Sequence, residues 1–172
     1  IEITAKEWEA VNYVGRVQLV ESQTPDIIES IQDRGILTMG LTARPHTFIE
    51  KSLSQLKKLG VRFYRSTVSH EQITITDKDK AVFENGLLAV GGNNKGTILL
   101  ALLDRVGFEP ERVVFVDDKV KNVTNVDTAL NGVGIPSFAF RYGAADEKVK
   151  NFDAKLADFE FDYFVRTGVV LS

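Results

Sequence analysis

Two adjacent carboxylates, Asp117 and Asp118, follow directly on the apolar run Val113–Val116. An unbroken run of valine and phenylalanine is typical of a strand buried on both faces, as in a parallel sheet covered by helices. Such sheets bind ligands beyond the carboxyl ends of their strands. Adjacent carboxylates repel each other, and a divalent cation relieves that repulsion. The pair therefore predicts a Mg²⁺ site, with an ordinary helix N-cap as the structural alternative.

Two further segments carry side chains that suit an anion. The apolar segment Ile36–Leu41 ends in Thr42-Ala43-Arg44-Pro45, which places a hydroxyl and a guanidinium at the end of a predicted strand. Lys95 begins an apolar-striped helix, where the helix dipole disfavours a cation unless an anionic partner is near. A plain proline turn and a solvated lysine are the alternatives. The glycines before Lys95 lack the spacing of a phosphate-binding P-loop.

These residues need a framework of alternating helices and strands. The pattern predicts an α/β fold, a parallel sheet with helices on both faces. The turn Asn85-Gly86 predicts a hairpin, because both positions favour positive φ. Helices are predicted at residues 4–15, 24–34, 46–59, 95–106, 122–131 and 144–158, and strands at 36–41, 61–64, 73–76, 82–83, 87–90, 113–116 and 136–140.

We expect one domain over residues 1–172, with a helical segment at 4–34 that could form a cap and a small β-hairpin excursion at 65–92. The chain opens on helices, and its first central strand is predicted only at Ile36. Right-handed crossover units normally begin from a strand. The sheet is therefore expected to lack its opening strand.

Composition narrows the class of protein. The 172 residues carry a net charge of −3 without a block of like charges, which argues against nucleic-acid binding through a basic face. There is no cysteine, which excludes disulfides, thiolate metal sites and cysteine nucleophiles. No signal segment or run of membrane-spanning length is visible, and the composition is typical of a soluble globular protein.

The order of these motifs resembles the haloacid-dehalogenase-like phosphohydrolase superfamily, and most closely its poorly characterised bacterial members. Leu41–Pro45, Asn94–Gly96 and Phe115–Asp118 look like its second, third and fourth motifs. The likeness spans about residues 36–140. It implies a Rossmann-type fold and a Mg²⁺-dependent phosphatase that acts on a small phosphorylated substrate through an aspartyl phosphate.

The resemblance also implies a role for each residue. Thr42 would donate a hydrogen bond to the transferring phosphoryl group, and Lys95 would neutralise its oxygens and the nucleophilic carboxylate. The pair Asp117-Asp118 would hold Mg²⁺, directly or through water. Asn122 would orient that cluster, and Arg44 would support the anion. Phosphoryl transfer needs this kind of positioning and charge neutralisation.

The superfamily's first motif, Asp-x-Asp at the end of an opening strand, is missing before Ile36. The only Asp-x-Asp in the chain, Asp77-Lys78-Asp79, follows an alternating segment and suits a solvated hairpin loop better than a nucleophile. We therefore expect an N-terminally truncated chain that is inactive alone. The alternatives are a non-catalytic relative that binds a phosphorylated ligand or a protein, and an unrelated receiver-like α/β domain, although a receiver places its acidic pair early.

Overall fold

The computed structural model describes residues 5–76 and 79–171, so Thr4 and the Asp77-Lys78 part of the Asp-x-Asp sequence lie outside it. The chain falls into two compact units. The larger unit, Glu21–Gly143, is a mixed α/β unit and contains every candidate site residue. The smaller unit comprises the described residues of Ile1–Val20 and Ala144–Ser172.

The smaller unit is helical in the part that the structure describes. Its elements are α1 (Ala5–Val14), α6 (Asp146–Lys150) and α7 (Ala154–Thr167). The single helix predicted at 144–158 is thus wrong, because Asp153 caps a new helix by accepting from the backbone N–H groups of Lys155 and Leu156. Over residues 5–76 and 79–171, no helix is long and apolar enough to cross a membrane.

The larger unit interleaves helices with short strands. A 3₁₀ turn precedes the helix Ile49–Lys58. A second 3₁₀ turn lies at Phe63–Arg65, where the sequence predicted a strand over residues 61–64. Arg65 pairs there with Glu29 and Asp33 of the helix Thr24–Asp33. The elements are α2 (Thr24–Asp33), β1 (Gly40–Thr42), α3 (Ile49–Lys58), β2 (Ile73–Thr76), β3 (Ala81–Glu84), β4 (Leu87–Ala89), α4 (Lys95–Val106), β5 (Val113–Asp117), α5 (Val120–Gly132) and β6 (Ser137–Arg141).

The strands form two sheets where one parallel sheet was predicted. A four-stranded mixed sheet has the order β1-β4-β3-β2, in which only β1 and β4 are parallel. A second sheet consists of the parallel pair β5 and β6. The strand β1 is shorter than predicted because it pairs only with the three residues of β4, while Thr38 bonds instead to the carbonyl of Ser66.

The predicted hairpin at Asn85-Gly86 is confirmed, with φ values of 49° and 80° at the two turn residues. The segment 65–92 is nevertheless no excursion. Phe83 and Leu88 are fully buried. The reason is that β4 pairs with β3 on one side and with β1 on the other, which carries the hairpin into the centre of the larger unit.

The strand β5 is covered on one face only, which corrects the expectation of a strand buried on both faces. Phe115 and Asp117 are buried, whereas Val114 and Val116 are 63% and 55% exposed. Phe115 packs into a cluster with Val126 of α5. The apolar run was continuous in the sequence, but burial in the structure alternates along it.

The helix α4 joins the two sheets and sets the position of Lys95. Ile98 and Leu102 pack beneath the mixed sheet, whereas Leu99 and Leu103 pack with Phe115. At its first turn α4 approaches α5 so closely that a Cβ on Gly96 would lie 2.4 Å from the carbonyl oxygen of Asn125. Only glycine fits there, so the first turn of α4, which carries Lys95, packs closely against the middle of α5.

We expect Gly96→Ala to destabilise the protein by about 1–3 kcal/mol, because the added methyl meets a backbone oxygen and overpacks the contact. The better helix propensity of alanine, about 1 kcal/mol, acts in the opposite direction and is too small to win. The measurement is urea unfolding. Gly92→Ala is the matched control, since its Cβ would meet nothing within 4 Å and its effect should stay within about 0.5 kcal/mol. Equal effects of the two substitutions would contradict a tight contact of α4 with α5.

Candidate functional site

A pocket of about 420 Å³ lies at the carboxyl ends of β1 and β5 in the larger unit. It gathers five of the six residues that the sequence analysis selected, although they are spread over 81 positions of the chain, from residue 42 to residue 122. Three of the other five lining residues are apolar. The lining residues are Leu41, Thr42, Ala43, Lys95, Val116, Asp117, Asp118, Lys119, Asn122 and Tyr142.

A buried ion pair forms the floor of this pocket. The ammonium of Lys95 donates to Asp117 Oδ2 at 2.6 Å and to the carbonyl of Leu41 at 3.1 Å. The two charged side chains are only 8% and 6% exposed. Asn94 caps the helix by accepting from the N–H of Thr97, so Lys95 is held at the first position of α4. The anionic partner predicted for Lys95 is therefore Asp117.

Asp117 has protein donors on both carboxylate oxygens. Its Oδ1 accepts from the backbone N–H of Lys119 and from Asn122 Nδ2, each at 2.9 Å. Burial alone would raise the pKa of Asp117, but the hydrogen bonds from Lys95, Lys119 and Asn122, with the positive charge of Lys95, outweigh it and lower that pKa. Asp117 is thus held as a carboxylate, and Asn122 orients it.

Thr42 presents a hydroxyl at the end of β1. Its Oγ1 accepts from the backbone N–H of Arg44 at 3.2 Å, a local turn that fixes the side chain. A hydroxyl that accepts in this way still has its own proton to donate. Thr42 lines the same pocket as Lys95, so both present donors to an anion bound there.

Arg44 does not line the pocket, unlike the other five predicted residues. Its guanidinium donates to Ser52 Oγ at 3.1 Å and to Gln55 Oε1 at 2.6 Å, both on α3. Burial lowers the pKa of Arg44. Arg44 therefore holds the loop after β1 against α3. It supports the site indirectly, by fixing the position of that loop.

Asp117 and Asp118 are the two carboxylates of the pocket that could hold a divalent cation. Asp118 is exposed, and its backbone carbonyl accepts from Arg141 Nε at 3.1 Å. A carboxylate has about four acceptor positions. Three donors occupy three of these positions on Asp117, so one remains. Over residues 5–76 and 79–171 no group of three or more metal-ligating side chains converges. The donor set fits an ion held by one or two carboxylates, with water or substrate completing its shell.

Tyr142 and Lys119 line the pocket but were not selected from the sequence. The hydroxyl of Tyr142 donates to Glu21, and this hydrogen bond raises the pKa of Tyr142. The two partners lie 121 positions apart, so no local pattern joins them. Tyr142 could still have been found, because it follows the end of the predicted strand at 136–140 and carboxyl ends of parallel strands share one edge.

The fold and site define a mixed α/β protein with a buried lysine–aspartate pair at its strand ends. The chain belongs to the family described as "Protein of unknown function (DUF2608)", which matches residues 1–172.

Among curated proteins, a Chlamydia pneumoniae protein named "Putative outer membrane protein" is 26% identical over 91% of this chain and 58% of its own length. An uncharacterised protein of Rickettsia prowazekii (strain Madrid E) is 25% identical over 89% of this chain and 59% of its own length. The chain thus spans under three-fifths of these relatives. No solved structure matches it significantly.

We expect Lys95→Met to destabilise the protein by about 3–5 kcal/mol, because it leaves the carboxylate of Asp117 buried without its cation. The double variant Lys95→Met with Asp117→Asn should be more stable than Lys95→Met alone, since no unpaired charge remains. Urea unfolding of the four proteins of this cycle gives the coupling energy, expected at about 1–3 kcal/mol. Lys58→Met on the exposed end of α3 is the control. If the two single substitutions lower the free energy of unfolding by amounts that sum to the effect of the double variant, the coupling energy is zero, which would contradict a stabilising ion pair.

The lowered pKa of Asp117 predicts a pH dependence of stability. A folded-state pKa below the unfolded value, about 3.9, gives stability that is complete above the unfolded pKa and is lost as pH falls through the folded one. Wild type should therefore exceed Asp117→Asn in free energy of unfolding at pH 7, and the two should converge below about pH 4. Urea titrations at pH 7, 5 and 3 check this. A difference that stays constant over this range would show that Asp117 does not titrate with folding.

Proposed function

We propose that the protein from which this chain comes is a Mg²⁺-dependent phosphohydrolase of the haloacid-dehalogenase-like kind, with a Rossmann-type core. The observation that carries the proposal is the buried contact between Lys95 and Asp117 beside the hydroxyl of Thr42. Its reaction would pass through an aspartyl phosphate. The nucleophilic aspartate would lie outside residues 1–172, because the chain offers no Asp-x-Asp at a strand end before Ile36.

The proposal assigns a task to each side chain of the pocket. A substrate phosphoryl group would accept hydrogen bonds from Thr42 and from the ammonium of Lys95. Two of the three N–H bonds of Lys95 already hold Leu41 and Asp117, which fixes the ammonium in place before substrate binds. Charge that is already oriented stabilises a transition state without further reorganisation.

Asp118 and the remaining acceptor position of Asp117 would hold Mg²⁺, which would supply further positive charge to the phosphoryl oxygens. Asn122 and the backbone N–H of Lys119 keep Asp117 in one orientation. Tyr142 closes the pocket beside them. A pocket of about 420 Å³ suits a small phosphorylated substrate better than a polymer.

A second candidate function is a non-catalytic module that binds a phosphorylated ligand or a protein. One observation favours it: the carboxylate of Asp117 is satisfied by three protein donors, so that carboxylate is held without a metal. In that case Thr42 and Lys95 would bind an anion and transform nothing.

We expect the full-length protein to hydrolyse p-nitrophenyl phosphate only with Mg²⁺, and residues 1–172 alone to be inactive. Thr42→Ala should lower kcat/KM about 10²–10³-fold, as does the loss of other preorganised donors, whereas Thr42→Ser should keep most of the activity. Steady-state kinetics with and without EDTA measure both. Turnover by residues 1–172 alone would contradict the proposal that the nucleophile lies outside this chain. Inactivity of the full-length protein together with retained phosphate binding would favour the non-catalytic module.

We expect Asp118→Asn to weaken Mg²⁺ binding by the full-length protein about 10-fold or more, because the removed charge is a direct or water-mediated ligand in this proposal. Asp118 is exposed, so the substitution should leave the fold intact. Isothermal titration calorimetry provides the affinity. Asp104→Asn on the exposed face of α4 serves as the charge-matched control. A titration curve that Asp118→Asn leaves unchanged would count against the metal site.

A further inference from the structure

The strand β1 has one edge that turns away from its sheet. Gly40 donates its N–H to the carbonyl of Gly86, and Thr42 accepts from the N–H of Val90, each at 2.9 Å. Backbone groups alternate in direction along a strand, so the N–H and carbonyl of Leu41, between these two residues, point to the opposite side. On that side no strand pairs with β1 over residues 5–76 and 79–171.

The strand β5 has a similar edge. Val113 donates to the carbonyl of Pro136 at 2.9 Å, and the carbonyl of Asp117 accepts from Tyr142 at 2.8 Å, so alternate residues of β5 face β6. The N–H and carbonyl groups of Val114 and Val116 therefore point away from β6. In the part of the chain that the structure describes, this edge is also without a partner strand.

The two edges border the same space. Leu41 and Val116 both line the pocket, and the outward carbonyl of Leu41 accepts from Lys95, whose ammonium also holds Asp117 at the end of β5. Thr42 and Asp117, the last residues of β1 and β5, both lie at this pocket, so both strands run toward it. The helix α4 packs beneath both sheets.

We propose that this space receives one further β-strand, parallel to β1 and β5 and hydrogen-bonded to both, which joins the two sheets into one. The strand would come from the same polypeptide, outside residues 1–172. Two observations favour that source over a second copy or a partner protein. The relatives are longer than this chain, which covers 58% and 59% of their length. The strand would also be hydrogen-bonded on both sides, whereas a peptide from another chain commonly adds to one exposed edge of a sheet.

An inserted strand would donate to the carbonyl of Leu41, whose second lone pair can still accept from Lys95, so the ammonium keeps its position. Its side chains would be apolar where they meet the α4 side of the sheet. The inference does not rest on the proposed phosphatase activity, because a non-catalytic relative with these two edges would need the same strand.

Amide hydrogen exchange of the full-length protein, followed by NMR, tests the inserted strand. We expect the amides of Leu41, Val114 and Val116 to exchange within about tenfold of the rate of Val113, which is already paired with β6. Exchange of these three amides at rates typical of solvated backbone would overturn the proposal. Activity plays no part in this result, so the strand and the phosphatase can fail separately.

A second NMR measurement identifies the source of the strand. Couplings across hydrogen bonds, with cross-strand NOEs, report the residue that accepts from each of the three amides and the direction of its strand. Acceptors in the same chain, outside residues 1–172 and in a parallel arrangement, are the expected result. Acceptors in a second copy, seen in a mixed-label sample, or in a co-purified partner would overturn the proposal, as would an antiparallel pattern.

Discussion

The buried contact between Lys95 and Asp117 is the interaction that holds together the end of the larger unit where the candidate site lies. Each charge costs several kcal/mol to remove from water, and only good geometry with further hydrogen bonds recovers that cost. Leu41 supplies a second acceptor to Lys95, and Lys119 and Asn122 supply donors to Asp117. The pair is therefore satisfied only when the ends of β1, α4, β5 and α5 are all in place.

The packing around that pair explains why a pocket forms there. The absence of a side chain at Gly96 lets the first turn of α4 pack closely against the middle of α5. The ends of β1 and β5 then flank one ammonium, and Thr42 stands beside it. A fixed positive charge, an oriented carboxylate and a hydroxyl at strand ends form an environment that suits a phosphoryl group whether it is transferred or only held.

The two proposed functions, a phosphohydrolase and a non-catalytic binding module, differ in one chemical requirement: only the enzyme needs a nucleophile. The relatives are named as uncharacterised or outer membrane proteins, and the family carries no assigned function, so the chemistry of this pocket is the main guide to a role. Within residues 5–76 and 79–171, one edge of β1 and one edge of β5 lack a partner strand. These edges bear on both functions, since a central strand ending at Lys95 would present its last side chains to the pocket. Whether one of them is a carboxylate decides between an enzyme and a binding module.

The sequence by itself determined most of the local elements and most of the residues that line the candidate site. The hairpin at Asn85-Gly86 could be predicted because a preference for positive φ is a property of single residues. Thr42 and Asp117 could be predicted as site residues because each lies at the end of a predicted strand. Tertiary structure alone decided that Val116 is exposed and that the strands form two sheets. It also decided that Arg44 turns to α3. The physical reason is that periodicity and backbone preference are local, whereas burial and pairing depend on which distant element covers a surface.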